Sequence, residues 1–514
     1  MARATNVSEM TTGPGNGNTP SNSNDIIDQD TWDVVVIGGG PPGENVAQYA
    51  TQGSDRTAVI VEKELVGGEC SYWACMPSKA LLRPISVLEG ARNLPGVKSI
   101  VGDSRVDVAA VLARRDEFTH HHDDSSQVDW AQSVGIDVVR GQGRLAGPKT
   151  VTVTAADGSK RTLHARLAVV LGTGTTASVP PIPGLREAEP WTSRDATNLH
   201  VVPSRVAVIG GGVVACEAAT WLSGLGAKVT IVGSAPKLLA RNEDFAGELV
   251  VEKFREHGVT VHLGARVDGV HRVDAKDTGE GNIHGGEVTV TFSGQSVTVD
   301  EVLVATGRVP ASRDLGLETI TGTTVDKAGY ITVDDHLTAA GVDGNWLYAI
   351  GDVNGRALLT HMGKYQARIC GAVIAARSDG RSVESPFTTD RADPGVVPQV
   401  TFTEPEVASV GPTQEQARKD GVDVTSVEYD LAALAGTSLL RDDYRGRAKL
   451  VIDKASNTLV GATFVGPDVS DLLHAATVAI IGKVTLEQLW HAVPSYPTPS
   501  EIWLRLLETY FNPS

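Results

Sequence analysis

Cysteine is scarce in this chain, with four in 514 residues. That is too few for a secreted disulfide scaffold of this size and points to a reducing cytoplasm. Positive charge is short as well: 45 Lys and Arg against 62 Asp and Glu leave a formal net charge of -17. Such a balance argues against nucleic acid or an anionic membrane surface as a main partner. No apolar run approaches the ~20 residues of a membrane span. The first thirty residues lack the basic stretch and apolar core of a secretory signal. Rich in Asn, Gly, Ser, Thr and Pro, they bury no core, so residues 1–30 are expected to be a disordered extension. The whole chain has 41% apolar and 21% charged residues, as in a soluble globular protein, and its length calls for two to four domains.

The ordered chain opens on "WDVVVIGGGPPGENVAQYA". The β-branched run Val34–Ile37 reads as a buried strand, followed by Gly38, Gly40 and Gly43 and a helix-compatible segment. This is the G-x-G-x-x-G turn in its required setting. The first glycine allows the tight turn, the second admits a pyrophosphate, and the third lets helix and strand pack closely. The helix N-terminus offers free N–H groups to the phosphates. A second strand, "TAVIVE", ends at Glu62, placed to accept hydrogen bonds from a ribose diol.

The pattern recurs about 170 residues later in "SRVAVIGGGVVACEAATWLSGLGAKVTIVG". Gly210 and Gly212 match Gly38 and Gly40, and Ala215 takes the third position, a permitted variant. Two such units imply two dinucleotides. The second copy ends its second strand in Gly233 where the first has Glu62. Without that carboxylate, and with Ser234, Lys237 and Arg241 close behind, the site favours NADPH over NADH.

Two of the four cysteines fall in "GGECSYWACMPSK", residues 67–79. Cys70 and Cys75 are a redox pair, metal ligands or buried thiols. Zinc wants two further ligands at similar spacing, and Cys216 and Cys370 are isolated, so they read as buried small hydrophobes. The run His120–Asp124 reads as a solvated helix face, because adjacent helical residues point in different directions. No metal site is expected. A disulfide between Cys70 and Cys75 requires Cα atoms within ~7 Å, which a regular helix does not give. It closes if Cys70 precedes a helix and Cys75 enters its first turn. Trp73, inside this loop, reads equally as a substrate-entrance residue or as helix packing.

The segment resembles the active-site stretch of the pyridine nucleotide-disulfide oxidoreductases, the flavoprotein family of dihydrolipoamide dehydrogenase, glutathione reductase and mercuric reductase. "LGTGT" (171–175), "VATGRVP" (304–310), "YAIGDV" (348–353) and "PQVTFTEPEVASVG" (398–411) extend the likeness over nearly the whole chain from residue 31. The resemblance implies an α/β fold with two Rossmann-like dinucleotide-binding domains and a C-terminal α+β dimerisation domain. Residues 31–185 and 300–370 would form the FAD domain, 186–299 the NAD(P)H domain and 371–514 the interface of a homodimer. Cys75 would be the thiolate beside the flavin, in a charge-transfer complex, and Cys70 the thiol that meets substrate. Lys79 would lie near the flavin and pair with Glu217. Gly143, Gly174, Gly307, Gly351, Asp352 and Thr360 would complete the cofactor sites. Electrons would pass from NADPH to FAD and on to the Cys70–Cys75 disulfide.

The likeness departs from the pattern at the C-terminus. Thiol-handling members carry His-Pro-Thr and a later Glu; this chain reads "SYPTPSEIW", with Tyr496 in the His position and Glu501 in place. An imidazole exchanges protons near neutral pH, whereas an unperturbed phenol titrates at about 10. Mercuric reductases resemble the chain in carrying Tyr there, but they also carry a C-terminal cysteine pair that it lacks. The expected acceptor is therefore a metal ion, a quinone or an unusual disulfide small molecule. The alternatives are a dihydrolipoamide dehydrogenase-type enzyme and a quinone reductase with a vestigial disulfide.

Overall fold

A computed structural model describes residues 29–392 and 394–512; the expected extension lies outside the described residues except for Gln29 and Asp30. Val34–Ile37 is buried because it runs through the middle of a sheet covered on both faces. The strand order is Ile136–Arg140, Ala58–Glu62, Thr31–Ile37, Lys160–Leu171, Thr150–Thr154, Gln142–Leu145, and Leu347–Ala349 also pairs with Lys160–Leu171. Strands next to Thr31–Ile37 are parallel, and the last two in the order are antiparallel. Side chains alternate between the faces. Val35, Ile37, Val59 and Val61 enter one core, while Val34, Val36, Ala58 and Ile60 enter the other. Helix Pro41–Thr51 packs against helix Thr360–Ser378 over the second of these.

A second, four-stranded parallel sheet has the order Thr260–Leu263, Lys228–Gly233, Arg205–Ile209, Glu301–Val304. The internal repeat extends to individual hydrogen bonds. Gly38 N donates to Val61 O at 2.9 Å and Gly210 N to Val232 O at 3.0 Å; Gly172 N donates to Ile37 O and Ala305 N to Ile209 O, both at 2.8 Å. A third unit is a five-stranded antiparallel sheet in the order Gln399–Thr401, Glu406–Val410, Thr458–Gly466, Arg447–Asp453, Val424–Asp430. Helices Leu473–Ile481 and Glu501–Phe511 pack into its core.

Two domain boundaries need correction. The second unit does not close at residue 299, because Glu301–Val304 pairs in register with Arg205–Ile209 and fully buried Glu301 salt-bridges Arg272. Residue 370 does not end the first unit, because it falls inside the unbroken helix Thr360–Ser378, where Gly371 packs on Tyr49. The His120–Asp124 reading is also corrected. His120, His121 and His122 form a tight turn, all with left-handed φ (48°, 51° and 59°). The His122 ring leaves solvent and packs on Trp73, 5.4 Å between centroids. Among the described residues no group of three or more His, Cys, Asp or Glu gathers as a metal site. No described helix is long and apolar enough to cross a membrane.

Candidate active site

A cavity of about 670 Å³ runs along the first sheet's glycine turn to the cysteine loop. Gly38, Gly40, Glu62, Gly143, Gly174 and Asp352 line it, together with Cys70, Cys75, Lys79 and Glu217. The chain therefore gathers around one cavity residues from widely separated stretches. Glu62 is buried at the strand end, where its carboxylate accepts from Gly39 N at 2.6 Å and Glu64 N at 2.8 Å. Asp352 accepts from the Thr175 hydroxyl at 2.9 Å, and burial pushes its carboxyl up.

These surroundings fit a dinucleotide. Gly40 faces the cavity with nothing but Pro42 Cδ, at 3.9 Å, near the place a Cβ would take. The N-terminus of helix Pro41–Thr51 thus lies open to a pyrophosphate. A carboxylate for a ribose and a second acid, Asp352, lie along the same wall.

Cys70 sits in a short helix, Gly68–Tyr72, and Cys75 begins the next, Cys75–Arg92. The break between them brings the two thiols within hydrogen-bonding reach, and neither is in a disulfide. Their environments differ. A hydrogen bond from Cys70 brings the Cys75 thiol down to about 6, helped by the Thr360 hydroxyl at 3.3 Å and by the Lys79 charge, against the effect of burial. The same hydrogen bond and burial push Cys70 up. The pair therefore holds its negative charge on Cys75. Cys216 and Cys370 are fully buried elsewhere, and burial raises both thiols.

The sign of this shift gives a pH prediction. A depressed thiol favours the folded, reduced protein above the ordinary thiol range, and that contribution is lost as pH falls through about 6. Ultraviolet thiolate absorbance of the reduced protein is expected to persist at neutral pH and to vanish on acidification through that range. Thr360→Val is expected to move the transition to higher pH.

Lys79 Nζ lies 2.8 Å from Glu217 Oε2 and 4.8 Å from the Phe402 ring centre. The other Glu217 oxygen accepts from Phe402 N at 2.9 Å. With the Lys79 side chain 38% exposed, such a pair adds about 1 kcal/mol or less to stability. Its worth is therefore positional: it fixes a cation beside the cavity.

Other expected residues are not all drawn in. Ser234 and Arg241 are exposed beyond the second strand of the repeat, while Lys237 is turned onto Asp244 and Asn242 O. Tyr496 is 74% exposed and does not line the cavity, and Glu501 is buried with Oε2 lacking a hydrogen-bond partner. Three cavity residues had no signal in the sequence. Glu69 binds both Arg194, at 2.9 Å, and Arg308, and Arg308 donates to the Thr175 hydroxyl at 2.5 Å. The Glu69–Arg308 contact spans 239 residues, so no local pattern announces it.

Sequence comparison matches residues 32–376 to the pyridine nucleotide-disulphide oxidoreductase family and residues 397–506 to that family's dimerisation domain. The dihydrolipoyl dehydrogenase of Chlorobaculum tepidum is 32% identical over 472 residues, 91% of this chain and 95% of its own length. The mercuric reductase of Staphylococcus aureus is 29% identical over 480 residues, 93% of this chain and 82% of its own. Among solved structures, the Cu(II) complex of the HOCl-induced flavoprotein disulfide reductase RclA from Escherichia coli superposes with a TM-score of 0.78. It is 24% identical, with 93% of this chain and 99% of that one covered.

Proposed function

The chain belongs to the pyridine nucleotide-disulphide oxidoreductases, FAD-dependent enzymes that use NAD(P)H, and from that premise we propose that it draws electrons from NADPH and delivers them through the Cys70–Cys75 pair to an acceptor needing no imidazole. A metal ion, a quinone or an unusual disulfide satisfies that condition. The observation that carries the reading is the unequal sulfur pair: two free thiols in contact on the cavity wall, with the charge held on Cys75.

FAD and the nicotinamide nucleotide, when bound, supply the two-electron transfer. Gly38, Gly40, Gly43, Glu62, Gly143, Gly174, Gly351, Asp352 and Thr360 would hold the flavin nucleotide. Gly210, Gly212, Ala215, Ser234, Lys237, Arg241 and Gly307 would hold the nicotinamide nucleotide. Arg241 and Ser234, exposed beyond Gly233, which stands where the first copy has Glu62, support NADPH. Lys79, held by Glu217, places a positive charge where the cavity meets Cys75. Two electrons and one proton convert a Cys70–Cys75 disulfide to a Cys70 thiol and a Cys75 thiolate. Handing the electrons to the acceptor re-forms the S–S bond and releases the proton. Thr360 donates to the thiolate of the reduced pair. Tyr496 and Glu501, on the unit that matches the dimerisation domain, would reach the site of a second subunit. Tyr496 supplies a hydroxyl there rather than a base, which disfavours a dithiol such as dihydrolipoamide.

Anaerobic titration of the purified protein tests this. NADPH, at lower concentration than NADH, is expected to raise a long-wavelength thiolate–flavin absorbance before the flavin bleaches. Direct bleaching without that absorbance sinks the relay.

A further inference from the structure

The sulfur pair meets only because the chain stops being helical between its members. Trp73 (φ -131°, ψ 0°) and Ala74 (φ -136°, ψ -89°) separate the two helices. Such a break leaves backbone groups without helical partners and needs outside support. Apart from its own N–H, which donates to Glu69 O at 2.8 Å, the polar support on Trp73 comes from the second unit. The Thr197 hydroxyl donates to Trp73 O at 2.9 Å, and Trp73 Nε1 donates to Glu280 Oε1 at 2.8 Å. Arg194 stacks over the indole at 4.3 Å. Trp73 is buried, at 8% exposure, so an unpartnered indole N–H here is costly.

Both supports are themselves pinned. Buried Arg115 donates to Thr197 O at 2.5 Å and to Leu199 O at 3.2 Å. Asn198 Nδ2 donates to the same Glu280 oxygen at 2.5 Å. Next to Glu280, Gly281 N donates to Asp195 at 3.2 Å, and Gly281 O accepts from His200 N at 3.0 Å. Gly281 approaches so closely that an added Cβ would lie 2.2 Å from Asn198 O.

We propose that Thr197 and Glu280 are positioning residues that set the spacing of Cys70 and Cys75 from the nucleotide-binding side, by holding the Trp73 break open. The inference rests on the thiol-relay reading above. It makes the second unit a support of the sulfur pair, more than a donor platform. Neither residue touches a reacting atom. Each acts through Trp73, and loss of both lets the loop relax and the sulfurs part.

The test uses the full-length holoprotein carrying T197V, E280A or both, with T197S and E280Q as conservative partners that keep a donor and an acceptor. Two readouts are followed: the pH at which the reduced pair loses its thiolate absorbance, and turnover with the best acceptor of the wild type. In T197V/E280A the thiolate is expected to disappear at a distinctly higher pH, and turnover to fall about tenfold. E280A alone, at an exposed position, is expected to lower turnover roughly threefold. T197S and E280Q are expected to restore both readouts. If the double variant melts earlier yet keeps the wild-type thiolate titration and turnover per flavin, the contacts are packing alone and the inference falls. A wild type that shows no depressed thiol overturns the relay reading itself, a separate outcome.

Discussion

Cys70→Ser is expected to lower turnover with the physiological acceptor by about a thousandfold or more, the scale on which removal of a chain's own nucleophile acts. The comparison with Cys70→Ala makes the result interpretable. Cys70 lowers the Cys75 thiol by donating a hydrogen bond to it. A serine hydroxyl donates in the same direction, so Cys70→Ser keeps the Cys75 thiolate while removing the sulfur that, on the relay reading, meets the acceptor. Cys70→Ala removes the donor too, and the Cys75 thiol then rises toward its ordinary range, held down only by Thr360 and Lys79. The relay reading thus requires both variants to be inactive but only the alanine variant to lose thiolate absorbance at neutral pH. Undiminished NADPH oxidation by Cys70→Ser with the best acceptor would show that electrons leave without the sulfur pair.

Both glycine fingerprints were legible because each is a local device: a strand, a turn and a helix within twenty residues. The hydrogen bonds of Gly38 and Gly210 repeat one another within 0.1 Å, 2.9 Å against 3.0 Å, since the same backbone path solves the same packing problem. The pairing of Lys79 with Glu217 was legible only through family resemblance, because 138 residues separate the partners. What failed was either long in range or concealed by a locally helical pattern. Glu301–Val304 follows its strand partner Arg205–Ile209 by almost a hundred residues, so nothing near residue 300 marks it as part of the second sheet. The three histidines look like part of a polar helix, yet Trp73 and Tyr72 draw the third inward and the backbone turns left-handed. The Trp73–Glu280 contact spans 207 residues and belongs to the fold alone.

Gly43→Ala is expected to yield protein that retains almost no flavin. A Cβ at Gly43 would lie 1.9 Å from Gly38 O and 3.4 Å from Val36 Cγ1. The carbonyl belongs to the turn that faces the cavity, so it cannot move without reshaping that turn. The helix must instead retreat by about an ångström, and a close-packed interior resists such shifts at ~1–3 kcal/mol. Retreat also draws the positive end of the helix away from any pyrophosphate, so FAD affinity is expected to drop by roughly two orders of magnitude, ~3 kcal/mol. Two further alanine substitutions separate these effects. At Gly40 a Cβ meets only Pro42 Cδ at 3.9 Å and faces the cavity. Gly40→Ala should therefore cost flavin affinity while leaving the melting temperature of the flavin-free protein nearly unchanged. At Gly90, inside helix Cys75–Arg92, a Cβ meets nothing within 4 Å. Gly90→Ala should stabilise the protein by up to about 1 kcal/mol, because alanine loses less backbone entropy than glycine in a helix. One substitution type then gives three outcomes: loss of stability and flavin at Gly43, loss of flavin alone at Gly40, and a gain of stability at Gly90. Flavin content and melting temperature of the three proteins check it, and flavin retained by Gly43→Ala at the wild-type level would refute the helix–turn contact as the determinant of the site.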